Sequence, residues 1–437
     1  MSKAGLLALI DSDAEKDLQI HFLQSFLRAA SPNPPGDTVA AARVVTNFLA
    51  HQDIESSIIS PKVDAPNVVS HFVCTSSNIE NEHALPKLIM NGHLDVFPVS
   101  DGDQWTHDPW AGEIDTSTNK IYGRGVVDMK AGTAALAAAY AYLFRFKNQL
   151  HGTCLLQTVS DEETGGKWGT AYLLNEDEDS ELWREGAVLN AEPSGFQSYR
   201  FGEKGTLRMT FTVQTPGGHG AFLHLDEGAI RISTRLITSL ISLIENSTDF
   251  HTPPDIEKHL RRPDVMATID TIMGTGAAAI MSKPTVNIGT ISGGSKVNVI
   301  PNECVFEVDI RLPIGLTAST ILIQIDKLLS TDFPQAKYSV HEAASNPANA
   351  CAPEHPLAIA IADNAEAVLG EGNRPLGIPS MGATDVKHFR YLGVPGYSFG
   401  VSPEGMARRD ECIDLRDYLA LIKVLAGTGW DYLGGGK

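Results

Sequence analysis

The chain has 437 residues, enough for a large core and two domains. Apolar residues make up 43% and aromatics 7%, the balance of a globular protein and not of a disordered or membrane-embedded one. Lys plus Arg number 34 against 53 Asp plus Glu, and the formal net charge of −19 argues against nucleic acid and anionic membrane surfaces as partners.

The apolar run Leu6-Leu7-Ala8-Leu9-Ile10 is closed by Asp11, Asp13 and Glu15, which is too short for a signal-peptide core. No stretch reaches the ~18 apolar residues of a membrane span. Five cysteines (Cys74, Cys154, Cys304, Cys351, Cys412) lie scattered without CxxC spacing and read as reduced thiols of a cytoplasmic protein.

Helical periodicity covers residues 14–30 and 37–51, broken by Ser31-Pro32-Asn33-Pro34-Pro35-Gly36. Strands are predicted over Val68–Thr75 and Lys87–Asn91, with a polar hairpin or loop over Ser76–Ala84 between them. An alanine-rich helix follows over Asp128–Phe146, then a buried strand over Gly152–Ser160. Strands alternating with helices predict an α/β fold, a sheet flanked by helices.

The pattern changes near Gly202. An alternating strand (Thr206–Gln214), a helix (Asp226–Glu245) and a loop-rich insert (Thr248–Pro284) come first. Two strands (Thr285–Ile291, Glu303–Leu312), a helix (Thr317–Leu329) and a last strand (Tyr338–His341) complete a smaller α+β, ferredoxin-like unit. The predicted organisation is one domain, residues 1–202 and 344–437, interrupted by a second, 203–343.

Chemistry-bearing residues cluster where strands end. The run Leu88 to Gly92 closes on His93-Leu94-Asp95, whose first and third side chains share one face of an extended segment. A histidine with a carboxylate at hand suits metal ligation, because the acid fixes the imidazole tautomer. In Gly123-Arg124-Gly125-Val126-Val127-Asp128-Met129-Lys130 the carboxylate stands where a helix is predicted to begin, and its plain role is a cap. Asp161-Glu162-Glu163 follows a buried strand, and three adjacent acids repel one another unless a cation sits among them. Glu192 follows another apolar run in Asn190-Ala191-Glu192-Pro193-Ser194, and His219 lies in the glycine-rich Gly217-Gly218-His219-Gly220. Together His93, Asp128, Glu163 and Glu192 form the N/O donor set of a hydrolytic zinc site at the carboxyl ends of strands. A dinucleotide-binding dehydrogenase is excluded, since no GxGxxG opens the first strand–helix turn.

These stretches, in this order and spacing over nearly the whole chain, resemble the zinc-dependent exopeptidase and amidohydrolase family of acetylornithine deacetylase, succinyl-diaminopimelate desuccinylase, aminoacylase and glutamate carboxypeptidase. The resemblance implies that His93, Asp128 and Glu192 hold one zinc, and that Asp128 bridges to a second held also by Glu163. It implies Glu162 as general base and Asp95 as the buttress of His93. The second domain resembles the family's lid, which mediates homodimerisation. There His219 would stabilise the oxyanion, Asn298 and Gly382 would contact substrate, and Arg311 would grip its carboxylate, which a guanidinium does bidentately. The implied activity is metal-dependent cleavage of the amide of an N-acyl amino acid or dipeptide-like substrate with a free carboxylate. Cobalt or manganese would suit the same ligands.

The family pattern breaks once. The last metal-ligand histidine precedes an acidic pair, here Asp410-Glu411, and its position holds Ala407. Glu404 or Asp410 would replace it; or one zinc would remain, with Arg408 or Arg409 neutralising Glu163; or the pocket would serve binding or a different Lewis-acid-assisted reaction without amide hydrolysis. His388 is a further donor, expected to be structural.

Overall fold

The computed structural model describes residues 2–74, 85–100 and 104–435. The hairpin or loop expected over Ser76–Ala84 lies outside them. Two compact units result: Met1–Phe201 with Cys351–Ile378 and Thr384–Lys437, and Gly202–Ala350 with Pro379–Ala383.

Among the described residues the main sheet has nine strands and is mixed. At its centre Lys87–His93 runs parallel to Thr153–Val159 on one side and to Ala187–Asn190 on the other. Asn67–Val73 pairs antiparallel outside Thr153–Val159, and Gly396–Ser398 lies parallel beyond Ala187–Asn190. All but the first residue of Lys87–His93 are buried, as in a strand covered on both faces. Ile89, Leu155 and Val188 pack with Leu173, Trp183 and Phe389 in one core cluster.

The alanine-rich segment forms the helix Ala131–Arg145, buried from Ala131 through Leu143. A helix apolar all round belongs inside a protein, and small side chains let backbones approach closely. Gly132 shows how closely: a Cβ there would lie 2.3 Å from the carbonyl oxygen of Ala191. Gly132→Ala is expected to destabilise the protein by roughly 1–3 kcal/mol, the usual cost of overpacking. Urea unfolding checks this, and a change below about 0.5 kcal/mol, ordinary for a surface site, would show that the helix simply gives way.

In the second unit four antiparallel strands stand in the order Thr285–Gly293, Glu303–Leu312, Gly205–Gln214, Ala336–Val340. This is the ferredoxin-like arrangement. Leu207, Met209, Phe211 and Val213 alternate onto its covered face. There they meet Ile232, Leu236, Leu240 and Ile244 of the helix Ala229–Glu245, and Ile321, Ile325 and Leu329 of the helix Ala318–Asp332.

Two local expectations fail. The insert read as loop contains three helices, Pro254–Leu260, Pro263–Met273 and Ala277–Met281. Proline at the first helical position starts a helix at no cost in hydrogen bonds, and Pro254 and Pro263 open the first two of these. Asp128 is no helix cap: its φ of −121° and ψ of 100° are extended, and the helix begins at Ala131.

Candidate active site

Three parallel strands deliver their carboxyl ends to one place, His93 from the first, Glu162 and Glu163 from the turn after the second, and Glu192 from beyond the third. Side-chain amides lock this alignment. Asn91 Nδ2 donates to Gln157 Oε1 (3.3 Å), Asn190 Nδ2 donates to Asn91 Oδ1 (3.2 Å), and Asn190 Oδ1 accepts from Glu192 N (2.9 Å). All three amides are buried, and each partner found on a neighbouring strand fixes the register.

His93 is the hub. Its Nδ1 lies 2.8 Å from the main-chain oxygen of Asp95, so Nδ1 carries a proton and Nε2 faces the carboxylates. Nε2 lies 3.2 Å from Asp128 Oδ1 and 3.4 Å from Glu192 Oε1. Two sets of donors, His93 with Glu162 and Glu192, and His93 with Asp128 and Glu163, keep their ligand atoms within 4.8 Å of one another.

The electrostatics show what these donors fit. Burial, then repulsion from Asp128, pushes Glu163 up to about 10 and Glu192 up to about 7. Burial and Glu192 likewise hold Glu162 well above the carboxylate range. Burial alone would lower His93, yet its contacts with Asp128 and Glu192 outweigh this and raise it. Among the described residues Glu163 Oε1 has no hydrogen-bond partner. Carboxylates crowded around one imidazole nitrogen, Glu192 buried and the others half-buried, match a divalent cation.

Asp95 supports the site differently from expectation. Its carboxylate stands 3.7 Å from His93 Nδ1, and the carbonyl of the same residue does the buttressing. The carboxylate instead accepts from the main-chain N–H of Glu162 (3.2 Å) and Glu163 (3.1 Å), and from Asn33 Nδ2 (2.8 Å). It thereby anchors the turn that carries both glutamates. Asn33 comes from the proline-rich break, where sequence offered no signal beyond chain reversal. Asp161 is spent on the same turn, accepting from Trp168 N (3.0 Å) and Thr164 Oγ1.

Asp385 and Lys387 were not singled out by sequence. Both are buried, and both act electrostatically on Glu162. Asp385 Oδ1 occupies the space a Cβ on Gly166 would need (2.6 Å), and Gly166 has a φ of +74°, so only glycine fits there. His388 lies 3.3 Å from the Gly165 carbonyl, and burial with Lys387 pushes it down to about 3.

Around Ala407 the two candidate substitutes differ in their surroundings. Asp410 accepts from the main-chain N–H of Thr106 (2.7 Å) and His107 (3.2 Å), and Glu404 is exposed. Arg408 and Arg409 are exposed, and no ion pair joins either to Glu163 among the described residues.

The remaining expected residues belong to the second unit and form two groups there. His219 pairs with Val299 in a short ribbon, next to Asn298, whose carbonyl accepts from Gly220 N (2.8 Å). His219 Nδ1 accepts from Ala221 N (3.2 Å), which leaves the proton of the neutral ring on Nε2. Arg311 donates to Asp309 (2.9 Å) and to the Met381 carbonyl (3.1 Å), which brings it beside Gly382. A Cβ on Gly382 would meet nothing within 4 Å.

Comparison with known proteins agrees with this picture. A probable succinyl-diaminopimelate desuccinylase from Staphylococcus epidermidis is 25% identical over 62% of this chain, and the match spans 63% of that relative. The fold is shared with an M20 family metallo-carboxypeptidase from Sulfolobus solfataricus at a TM-score of 0.75 and 19% identity, over 95% of this chain and 99% of that one. It is shared also with a Bacillus subtilis protein described as a dinuclear metal binding peptidase from the M20 family, at 0.65 and 12%, over 97% and 100%. The profile of peptidase family M20/M25/M40 matches residues 89–429, from the His93 strand to the last helix, and the chain belongs to that family.

Proposed function

We propose that this chain is a metal-dependent hydrolase that cleaves the amide bond of an N-acyl amino acid or dipeptide-like substrate bearing a free carboxylate. The supporting observation is the convergence of Asp128 and Glu192 on His93 Nε2, with Glu162 and Glu163 half-buried beside them. His93, Asp128 and Glu192 hold one zinc ion, for which cobalt or manganese can stand in. Asp128 and Glu163 alone remain for a second, one ligand short of the usual three. The chain therefore holds one ion firmly.

When bound, the ion supplies Lewis acidity toward the scissile carbonyl and lowers the pKa of water. The residues do the rest. Glu162, on a turn anchored by Asp95, accepts the proton of the attacking water and returns it to the leaving amine. His219, with its proton on Nε2, donates to the oxyanion. Arg311 binds the substrate carboxylate, and Asn298 and Gly382 line its path.

The assembly is a cytoplasmic homodimer formed through the second unit. In support, the strand Thr285–Gly293 lies at a sheet edge with its last five residues exposed, and Ile291 and Val297 stand open to solvent. No described helix is long and apolar enough to cross a membrane, and no disulfide forms among the described residues.

The test is zinc-restored turnover by chelator-stripped protein, over N-acetyl and N-succinyl amino acids and dipeptides with free or amidated carboxyl ends. Zinc is expected to restore cleavage of the free acids at one ion per chain. Arg311→Met should raise KM for them about 10- to 100-fold, the worth of a charged hydrogen bond, and leave the amidated forms unchanged. Zinc-loaded protein that cleaves none of these amides would end the proposal.

A further inference from the structure

The segment Gly123–Lys130, which carries Asp128, contributes no strand and no regular helix, yet it must hold a ligand in place. Its main-chain donors converge on one side chain. Glu411 accepts from Val127 N (2.8 Å) and Gly125 N (3.2 Å), with Asp128 N at 3.4 Å. The same carboxylate accepts from Arg124 Nη1 at 2.6 Å, and both residues are 1% exposed. Arg124 in turn donates to the carbonyls of Ala407 (3.2 Å) and Arg408 (3.3 Å) and lies over the Trp105 ring. The antiparallel pairing of Cys412–Asp414 with Lys120–Tyr122 brings Glu411 to this spot from the far end of the chain.

We propose that Glu411, paired with Arg124, is the positioning residue for Asp128: an internal anion that gathers the N–H groups of residues 125, 127 and 128 and so sets the ligand's approach to the ion. This rests on Asp128 being a metal ligand, as proposed above. A nest of main-chain N–H groups binds an anion wherever it occurs, and here the chain provides its own. The acidic pair after position 407 thus has a task that does not depend on a histidine there. Asp410 ties down residues 106 and 107, and Glu411 ties down the Asp128 segment.

The experiment measures zinc affinity by competition with a chromophoric chelator, together with urea unfolding of the metal-free protein. Wild type, Glu411→Gln and Arg124→Lys are compared, with Asp410→Asn as the neighbouring control. Glutamine keeps the size but presents an NH2 group to the nest, and lysine keeps the charge but loses the fork. The zinc Kd is expected to rise about 10- to 100-fold in both, the usual effect of losing a group that orients a ligand, and to stay within twofold in Asp410→Asn. A merely structural role would lower the stability of the metal-free protein and leave the Kd of folded variants unmoved; that result overturns the proposal. Should Glu411→Gln fail to fold, Arg124→Lys decides by the same criterion. Failure of the wild type to bind zinc overturns instead the metal-site assignment on which this rests.

Discussion

Glu162→Gln is expected to lower kcat for amide cleavage by about 10²- to 10⁴-fold, the range for removing a positioned general base. Glutamine preserves the volume and the turn, because Asp95 holds that turn through the main-chain N–H of residues 162 and 163. What it removes is the ability to take a proton. The side chain is kept from ordinary ionisation by burial and by Glu192, while Lys387 and His93 pull the other way, so its basicity is set by a balance of buried charges. Zinc content should stay at the wild-type value, because His93, Asp128 and Glu192 are untouched. The exposed Glu178→Gln serves as control. A Glu162→Gln protein with wild-type kcat would remove Glu162 from the chemistry, and one that lost its zinc would recast it as a ligand.

The metal-free protein is expected to lose stability as pH rises from about 5 to 8, the reverse of the trend for carboxylates held in salt bridges. Unfolded glutamates titrate near ~4.3. In the fold, burial followed by repulsion from Asp128 places Glu192 at about 7 and Glu163 at about 10. A group raised on folding contributes stability below its unfolded pKa and loses it as pH climbs through the folded one. Glu192 alone accounts for roughly 3 kcal/mol across that window, and Glu163 steepens the slope throughout it and beyond. Zinc removes the cause by pairing the carboxylates, and at about a thousand times its Kd it adds on the order of 4 kcal/mol. Urea unfolding at pH 5.5 and 8, with chelator and with zinc, measures both effects. A metal-free protein that is more stable at pH 8 than at 5.5 would mean that the carboxylates are already neutralised by groups of the chain.

Much of this was legible in the sequence where the signal is periodic or local. Alternation of Leu207, Met209, Phe211 and Val213 marks a strand with one covered face, and the structure puts all four in the core of the second unit. Acids and a histidine at the ends of apolar runs marked His93, Glu162, Glu163 and Glu192, because parallel strands share one carboxyl edge and whatever follows them must meet there. The insert read as loop-rich hid three short helices, two of them opened by Pro254 and Pro263, where the missing N–H costs nothing.

By itself, then, the sequence determined the α/β fold class and singled out the candidate donors. Burial periodicity and donor chemistry are properties of short stretches. Only the tertiary structure decided how those donors are held: Asn33 on Asp95, Asp385 against Gly166, Arg124 and Glu411 on the Asp128 segment. Each pair joins residues far apart in the chain, and the need for each comes from burying polar groups or packing them closely, which leaves no mark on the sequence until a fold brings them together.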